Sequence, residues 1–263
     1  MSKSNKNTIL STQNLSIGYK NKTSMLEVAS ELNIQVQKGE LIAFLGKNGS
    51  GKSTLLRTLM QMLAPLDGQI FVHNKDILSY KREEIAKEIS VVLTEKLPDN
   101  LLTVYELICM GRQAHTNWLD KLSVRDKEKI DFAIESTHIH NLLDKKFNEL
   151  SDGQQQKVLI AKSIAQDTPL IFLDEPTTHL DVHHRMETFL VLKDLAVTHH
   201  KSIIMATHEI GLAIKMADKL WVLEDKSIHI GKPIELIEKK IISQVFDSDL
   251  IQFNATKANF EYK

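Results

Sequence analysis

The chain has 263 residues, with 33 Lys and Arg against 34 Asp and Glu, a formal charge of −1. Hydrophobic residues at 42% and charged residues at 25% fit a globular protein and exclude a disordered or collagen-like chain, while the balanced charge gives no reason to expect nucleic acid as a partner. Cys109 is the only cysteine, so an intrachain disulfide is excluded and a reducing compartment is expected.

The N-terminus carries lysines but no apolar stretch behind them, so it does not read as a secretory signal. The first two segments, about 8–19 and 30–37, read as strands; in the second, Leu32, Ile34 and Val36 alternate with polar residues, as on a half-exposed strand. Leu41–Leu45 is instead continuously apolar, as expected of a strand buried on both faces of a parallel sheet. It is far too short to cross a bilayer, as is Ile203–Ala206, so a soluble intracellular protein is expected. A Gly-rich loop follows, and Thr54–Leu63 has helical spacing. The strand pattern recurs at Leu170–Leu173 and Ser202–Ala206, each followed by a polar turn and a helical segment, which predicts a parallel α/β sheet. Between them, over about 97–165, strands disappear. Ile130, Ala133, Ile134 and Thr137 there mark an amphipathic helix, so this stretch reads as a helical insert. The tail beyond Gly231 gives no clear pattern.

Gly46, Lys47, Asn48, Gly49, Ser50, Gly51, Lys52 and Ser53 read G-x-x-x-x-G-K-S, between an apolar strand and a helix that Thr54 continues. Glycines let backbone N–H groups converge on phosphate oxygens, and the helix turns its positive end to the same anion. Lys52 is expected to reach the β- and γ-phosphates and Ser53 to hold magnesium, so ATP and Mg²⁺ are the expected ligands. Asp174 and Glu175 end the second apolar strand, on the side where α/β sheets bind ligands. Asp174 is placed to hold the metal, and Glu175 to orient or deprotonate an attacking water.

With Leu150-Ser-Asp-Gly-Gln154 upstream of that aspartate, Thr178-His-Leu-Asp181 after it and His208 in Ala-Thr-His-Glu, the chain resembles the ATP-binding subunit of ATP-binding-cassette (ABC) transporters over about residues 8–230. The resemblance implies a phosphate-loop ATPase fold: a parallel α/β core, an N-terminal antiparallel β part and an inserted helical subdomain. On that reading 1–263 is a single ATPase domain, with 1–96 and 166–263 as its core and about 97–165 as the helical part. It also implies that Tyr19 stacks on adenine, that His208 is a switch beside Glu175, and that Ser151, Gly153, Gln154 and Asp181 close over the ATP of a second copy in a head-to-tail homodimer. Leu102–Arg112 with His115, and Thr177–Asp181, are similar to segments of importers of iron-siderophores, haem and cobalamin. Such a subunit docks on permease subunits at the inner face of the membrane and meets a substrate-binding protein only indirectly. Exporter, lipid-handling and soluble cassette ATPases are the alternatives.

Two positions depart from the family pattern. A glutamine that would touch magnesium is replaced by Thr94, followed by Glu95; either residue is a candidate metal contact. Asp152 replaces a signature glycine and is expected to point away from phosphate or to cap the helix, since like charges repel. His179, His183 and His184 lie close together but lack a cysteine or a well-spaced third ligand, so a metal site is not expected there. Cys109, Met60 and Met62 read as packing residues and His199-His200 as a solvated helix end.

Overall fold

The computed structural model describes residues 7–21, 24–93, 101–116, 121–178 and 180–263. Thr94, Glu95 and His179 lie outside them. The strand expected at about 8–19 is β1 (Thr8–Lys20), whereas the one expected at about 30–37 is divided between the end of β2 (Met25–Leu32) and β3 (Gln35–Gln37). β1 pairs antiparallel with β2, with β3 and, after β4 (Leu41–Gly46) and α1 (Lys52–Leu59), with β5 (Asp67–Val72); β6 (Lys75–Asp76) completes that sheet. A short α2 (Arg82–Ile85) leads into β7 (Ile89–Val92).

Helices then take over. They are α3 (Val104–Cys109), α4 (Val124–Thr137) and α5 (Asp152–Ala165), joined by short 3₁₀ turns. The α/β alternation resumes with β8 (Leu170–Asp174), α6 (Val182–Val197), β9 (Ser202–Ala206), α7 (Ile210–Met216), β10 (Lys219–Glu224) and β11 (Ser227–Gly231). The second sheet runs β11-β10-β4-β9-β8-β7, parallel except for β11. Every residue of β4, β8 and β9 is buried, as their unbroken apolar runs predict.

Successive residues of these strands enter different cores, as the two-residue period of a strand requires. Ile42, Phe44, Phe172 and Ile204 pack with Leu55 and Leu56 of α1 and with β1. Ile171, Leu173, Ile203 and Met205 pack on the other face with Phe189 and Leu192 of α6 and with α3, α4 and α5. Each such fully buried side chain is worth about 1.5–3 kcal/mol.

Among the described residues, a buried ion pair ties the helical stretch together. Arg112 Nε donates to Asp126 Oδ1 at 2.9 Å, and its Nη1 donates to the Ala165 carbonyl that ends α5 at 2.7 Å. Asp126 Oδ2 also accepts from Ser123 N and Oγ, which closes the N-terminal cap of α4. Just beyond α5, Gln166 Nε2 donates to the carbonyls of Ala86 and Ile89, and Asp167 pairs with Lys129 of α4 and Lys201 before β9. The helices are thereby anchored to the sheet. The tail forms α8 (Pro233–Glu238), α9 (Ile241–Phe246) and a hairpin of β12 (Ile251–Asn254) and β13 (Asn259–Tyr262). Phe253, Leu236, Ile242 and Val245 of this tail cover Ala43, Leu45, Leu220 and Val222 of the sheet.

Candidate functional site

The loop from β4 to α1 leaves the sheet at Gly46 and turns tightly, with Ser50 N donating to the Lys47 carbonyl. Gly49 (φ +76°) and Gly51 (φ +108°) take left-handed conformations, and a Cβ on Gly51 would stand 2.1 Å from Val28 Cγ1. Gly51 caps α1 without a side-chain hydrogen bond, and the first turn carries no acid. The amides at the positive end of this helix are therefore not claimed by a side chain of the cap, which suits an anion.

Lys52 is buried, and its Nζ donates to the carbonyls of Gly46 at 2.9 Å and Lys47 at 3.3 Å. Burial lowers its pKa, against the charges of Glu175 and Asp174. Ser53 Oγ donates to Asp174 Oδ1 at 3.3 Å, which joins α1 to the end of β8. Burial, with the neighbouring Glu175 charge, raises the Asp174 carboxyl above the usual range, against the Ser53 hydrogen bond. The Ser50 hydroxyl is buried and finds no hydrogen-bond partner among the described residues. An orphaned hydroxyl, open helix amides and a lysine folded over the loop fit a phosphate, and the Ser53–Asp174 oxygens fit a hard cation.

Glu175 has φ +50°, rare for a residue with a side chain, and its N–H donates to the Ala206 carbonyl at the end of β9. That turn aims the side chain at His208, whose Nε2 lies 2.6 Å from Glu175 Oε1, while Thr178 Oγ1 donates to Oε2 at 3.4 Å. Tyr19 is half-exposed beside the loop and shares a 3.1 Å hydrogen bond with the Thr54 hydroxyl. The structure thus gathers Tyr19, Gly46–Thr54, Asp174, Glu175 and His208 at one end of the sheet.

The signature residues form a second group. Ser151 caps α5: its hydroxyl accepts from Gln154 N at 3.3 Å, and Gln154 Oε1 accepts from Ser151 N at 3.2 Å. The cap is thus Ser151, while Asp152 is an exposed residue of the first turn. Asp181 caps α6, accepting from His184 N at 2.9 Å and pairing with His184 Nδ1 at 2.8 Å. Ser151, Gly153, Gln154, Lys157, Asp181 and His184 border a cleft of about 450 Å³, and no residue of 46–54 lines it. The phosphate-loop residues of the same chain are therefore not part of this cleft.

The sequence reading missed the residues that position these loops. Arg185 Nε donates to the Leu180 carbonyl at 2.8 Å, and its Nη1 pairs with Glu209 at 2.6 Å, linking the loop of Asp181 to the loop of His208. No local spacing links Arg185 to Glu209, which lies 24 residues further on. No helix among the described residues is long and apolar enough to cross a membrane.

Residues 29–178 match the ABC transporter family, and the chain belongs to that family as an ATP-binding cassette ATPase. Among similar proteins, the petrobactin import ATP-binding protein FpuD of Bacillus anthracis is 37% identical over 90% of this chain and 86% of its own length. The ferric enterobactin transport ATP-binding protein FepC of Escherichia coli is 32% identical, over 89% and 85%. A solved chain from an inward-facing transporter assigned to the metal-chelate type superposes with a TM-score of 0.78 at 29% identity, covering 97% of this chain and 96% of that one. A dimeric bacterial ABC transporter cassette, at 24% identity, shares the fold with a TM-score of 0.76 over 86% of this chain and 99% of that one.

Proposed function

We propose that this chain is the ATPase subunit of a membrane importer for an iron-siderophore, haem or cobalamin. It would dock on permease subunits at the inner membrane face and be served indirectly by a substrate-binding protein. The observation that carries the catalytic reading is the meeting of Lys52, the Ser53–Asp174 pair and the Glu175–His208 pair at one end of the parallel sheet. The cargo class is supported by the import and siderophore-transport proteins among the relatives.

The roles follow from the chemistry. The Gly46–Thr54 loop holds the phosphates with backbone amides, Lys52 adds charge that strengthens ground-state binding, and the exposed Tyr19 ring flanks the adenine. Ser53 and Asp174 would hold Mg²⁺, with Thr94 or Glu95 as a further oxygen donor. Bound magnesium supplies charge that offsets the β- and γ-phosphates. Glu175 orients or deprotonates the attacking water, and His208 keeps its carboxylate in position. Ser151, Gly153, Gln154 and Asp181 of one chain close over the nucleotide of a second copy, since they lie apart from their own chain's phosphate loop. The helical segment about 97–165, with Tyr105 and Met110 exposed, is the subdomain that faces the permease.

Lys52→Ala and Glu175→Gln separate binding from chemistry. Lys52→Ala should abolish ATP binding in equilibrium titration, while Glu175→Gln keeps ATP affinity and loses turnover. Equal loss of affinity in both variants would overturn the division of roles.

A further inference from the structure

Helix α6 opens with Val182-His183-His184-Arg185-Met186-Glu187, so His183 and Glu187 share a face one turn apart, with His184 beside them. Each of the three brings a ligand atom to within 4.8 Å of the others. His183 Nδ1 lies 3.3 Å from Glu187 Oε1, and the two imidazole rings meet edge to face with centroids 5.7 Å apart. Glu187 is the third ligand that the sequence reading did not find. It stands at i+4 from His183.

The surrounding contacts prepare these groups for a cation. His184 Nδ1 lies 2.8 Å from Asp181 Oδ2. That carboxylate accepts a hydrogen bond from Nδ1–H, which leaves the Nε2 lone pair free, and a carboxylate behind an imidazole makes the ring a stronger ligand. Glu187 Oε2 is held by Lys157 Nζ at 2.7 Å; this hydrogen bond is the largest influence lowering the Glu187 pKa, and it leaves Oε1 facing His183. Bonds of about 2.0–2.2 Å to one ion need the ligand atoms to draw in by an ångström or so. The His183 side chain, 77% exposed, has the freedom to do so. The positive end of α6 and the Lys157 ammonium oppose a cation, and the Asp181 and Glu187 carboxylates offset them.

The geometry points to a binding site for one divalent transition-metal ion held by His183, His184 and Glu187, with water completing the shell. Two imidazole nitrogens and one carboxylate suit zinc, cobalt or nickel, whereas magnesium prefers oxygen alone. The site borders the cleft of Ser151 and Asp181, apart from the phosphate-loop cluster, and it does not depend on the transport reading.

The test is isothermal titration of the full chain, free of any histidine tag, with zinc chloride in buffer holding excess magnesium. One zinc ion should bind per chain. His183→Ala and Glu187→Gln should each weaken binding roughly ten-fold or more, with unchanged circular dichroism showing that both variants fold. No zinc binding, displacement by magnesium, or wild-type affinity in either variant would overturn the site.

Discussion

Glu175 and His208 meet from two neighbouring strand ends, with Nε2 2.6 Å from Oε1. On the function proposed above, the carboxylate acts on water and the histidine fixes where that carboxylate points. The Glu175 backbone is held in a left-handed turn, a conformation that costs of order 1–3 kcal/mol and is kept where the surroundings demand it. Removing the histidine should therefore harm chemistry more than binding. His208→Ala is expected to lower kcat about 100-fold while ATP affinity stays within about three-fold. Steady-state kinetics paired with nucleotide titration checks this. A matching loss of affinity would assign His208 to holding the nucleotide instead.

Among the elements, the helical stretch depends most on a single contact. Arg112 bridges the start of α4 and the end of α5 from a nearly dry site. Arg112→Met would leave Asp126 buried without its charge partner and should cost about 3–5 kcal/mol in urea unfolding. Burial raises the Asp126 pKa, but hydrogen bonds from Ser123 and Arg112 outweigh it and hold the carboxyl at about 2, against an ordinary 3.8. A carboxyl depressed in the folded state adds stability above its unfolded pKa. About 2 kcal/mol is then present at neutral pH and lost as pH falls from about 4 towards 2. Unfolding curves at pH 7 and pH 3 should show a smaller acid loss in Arg112→Met than in the wild type. At α5, Ser151→Ala removes a helix cap and should cost about 1 kcal/mol by the same assay.

These elements also show what the residue pattern could reveal. Continuous apolar runs made β4, β8 and β9 legible, and the phosphate loop announced itself because its glycines and lysine must be contiguous. Arg112 and Asp126 are distant in sequence, and nothing local links them before the helices pack. β10 carries the apolar run Leu220–Leu223, an overlooked signal, framed by Lys219 and Glu224. The tail hairpin stayed hidden because each strand has only four residues, so the alternation of Ile251 with Phe253 and of Phe260 with Tyr262 is too short to stand out; Phe253 and Phe260 pack on each other, and Phe260 on Phe246 of α9. The sequence leaves two places open for Asp152, because backbone geometry decides that Ser151 and not Asp152 caps α5.

For the whole molecule, the central fact is separation. The phosphate loop, Asp174, Glu175 and His208 lie together, while Ser151 and Asp181 border a different cleft. If both groups bind nucleotide, as proposed above, each site would be completed by a second copy, so ATP should drive association and hydrolysis should release it. The direct test is light scattering of the Glu175→Gln protein with and without ATP and magnesium. The account predicts the mass of one 29.9 kDa chain without nucleotide and twice that mass with it, with Ser151→Ala in the same background remaining at the single-chain mass. A Glu175→Gln protein that binds ATP yet keeps the single-chain mass would contradict it.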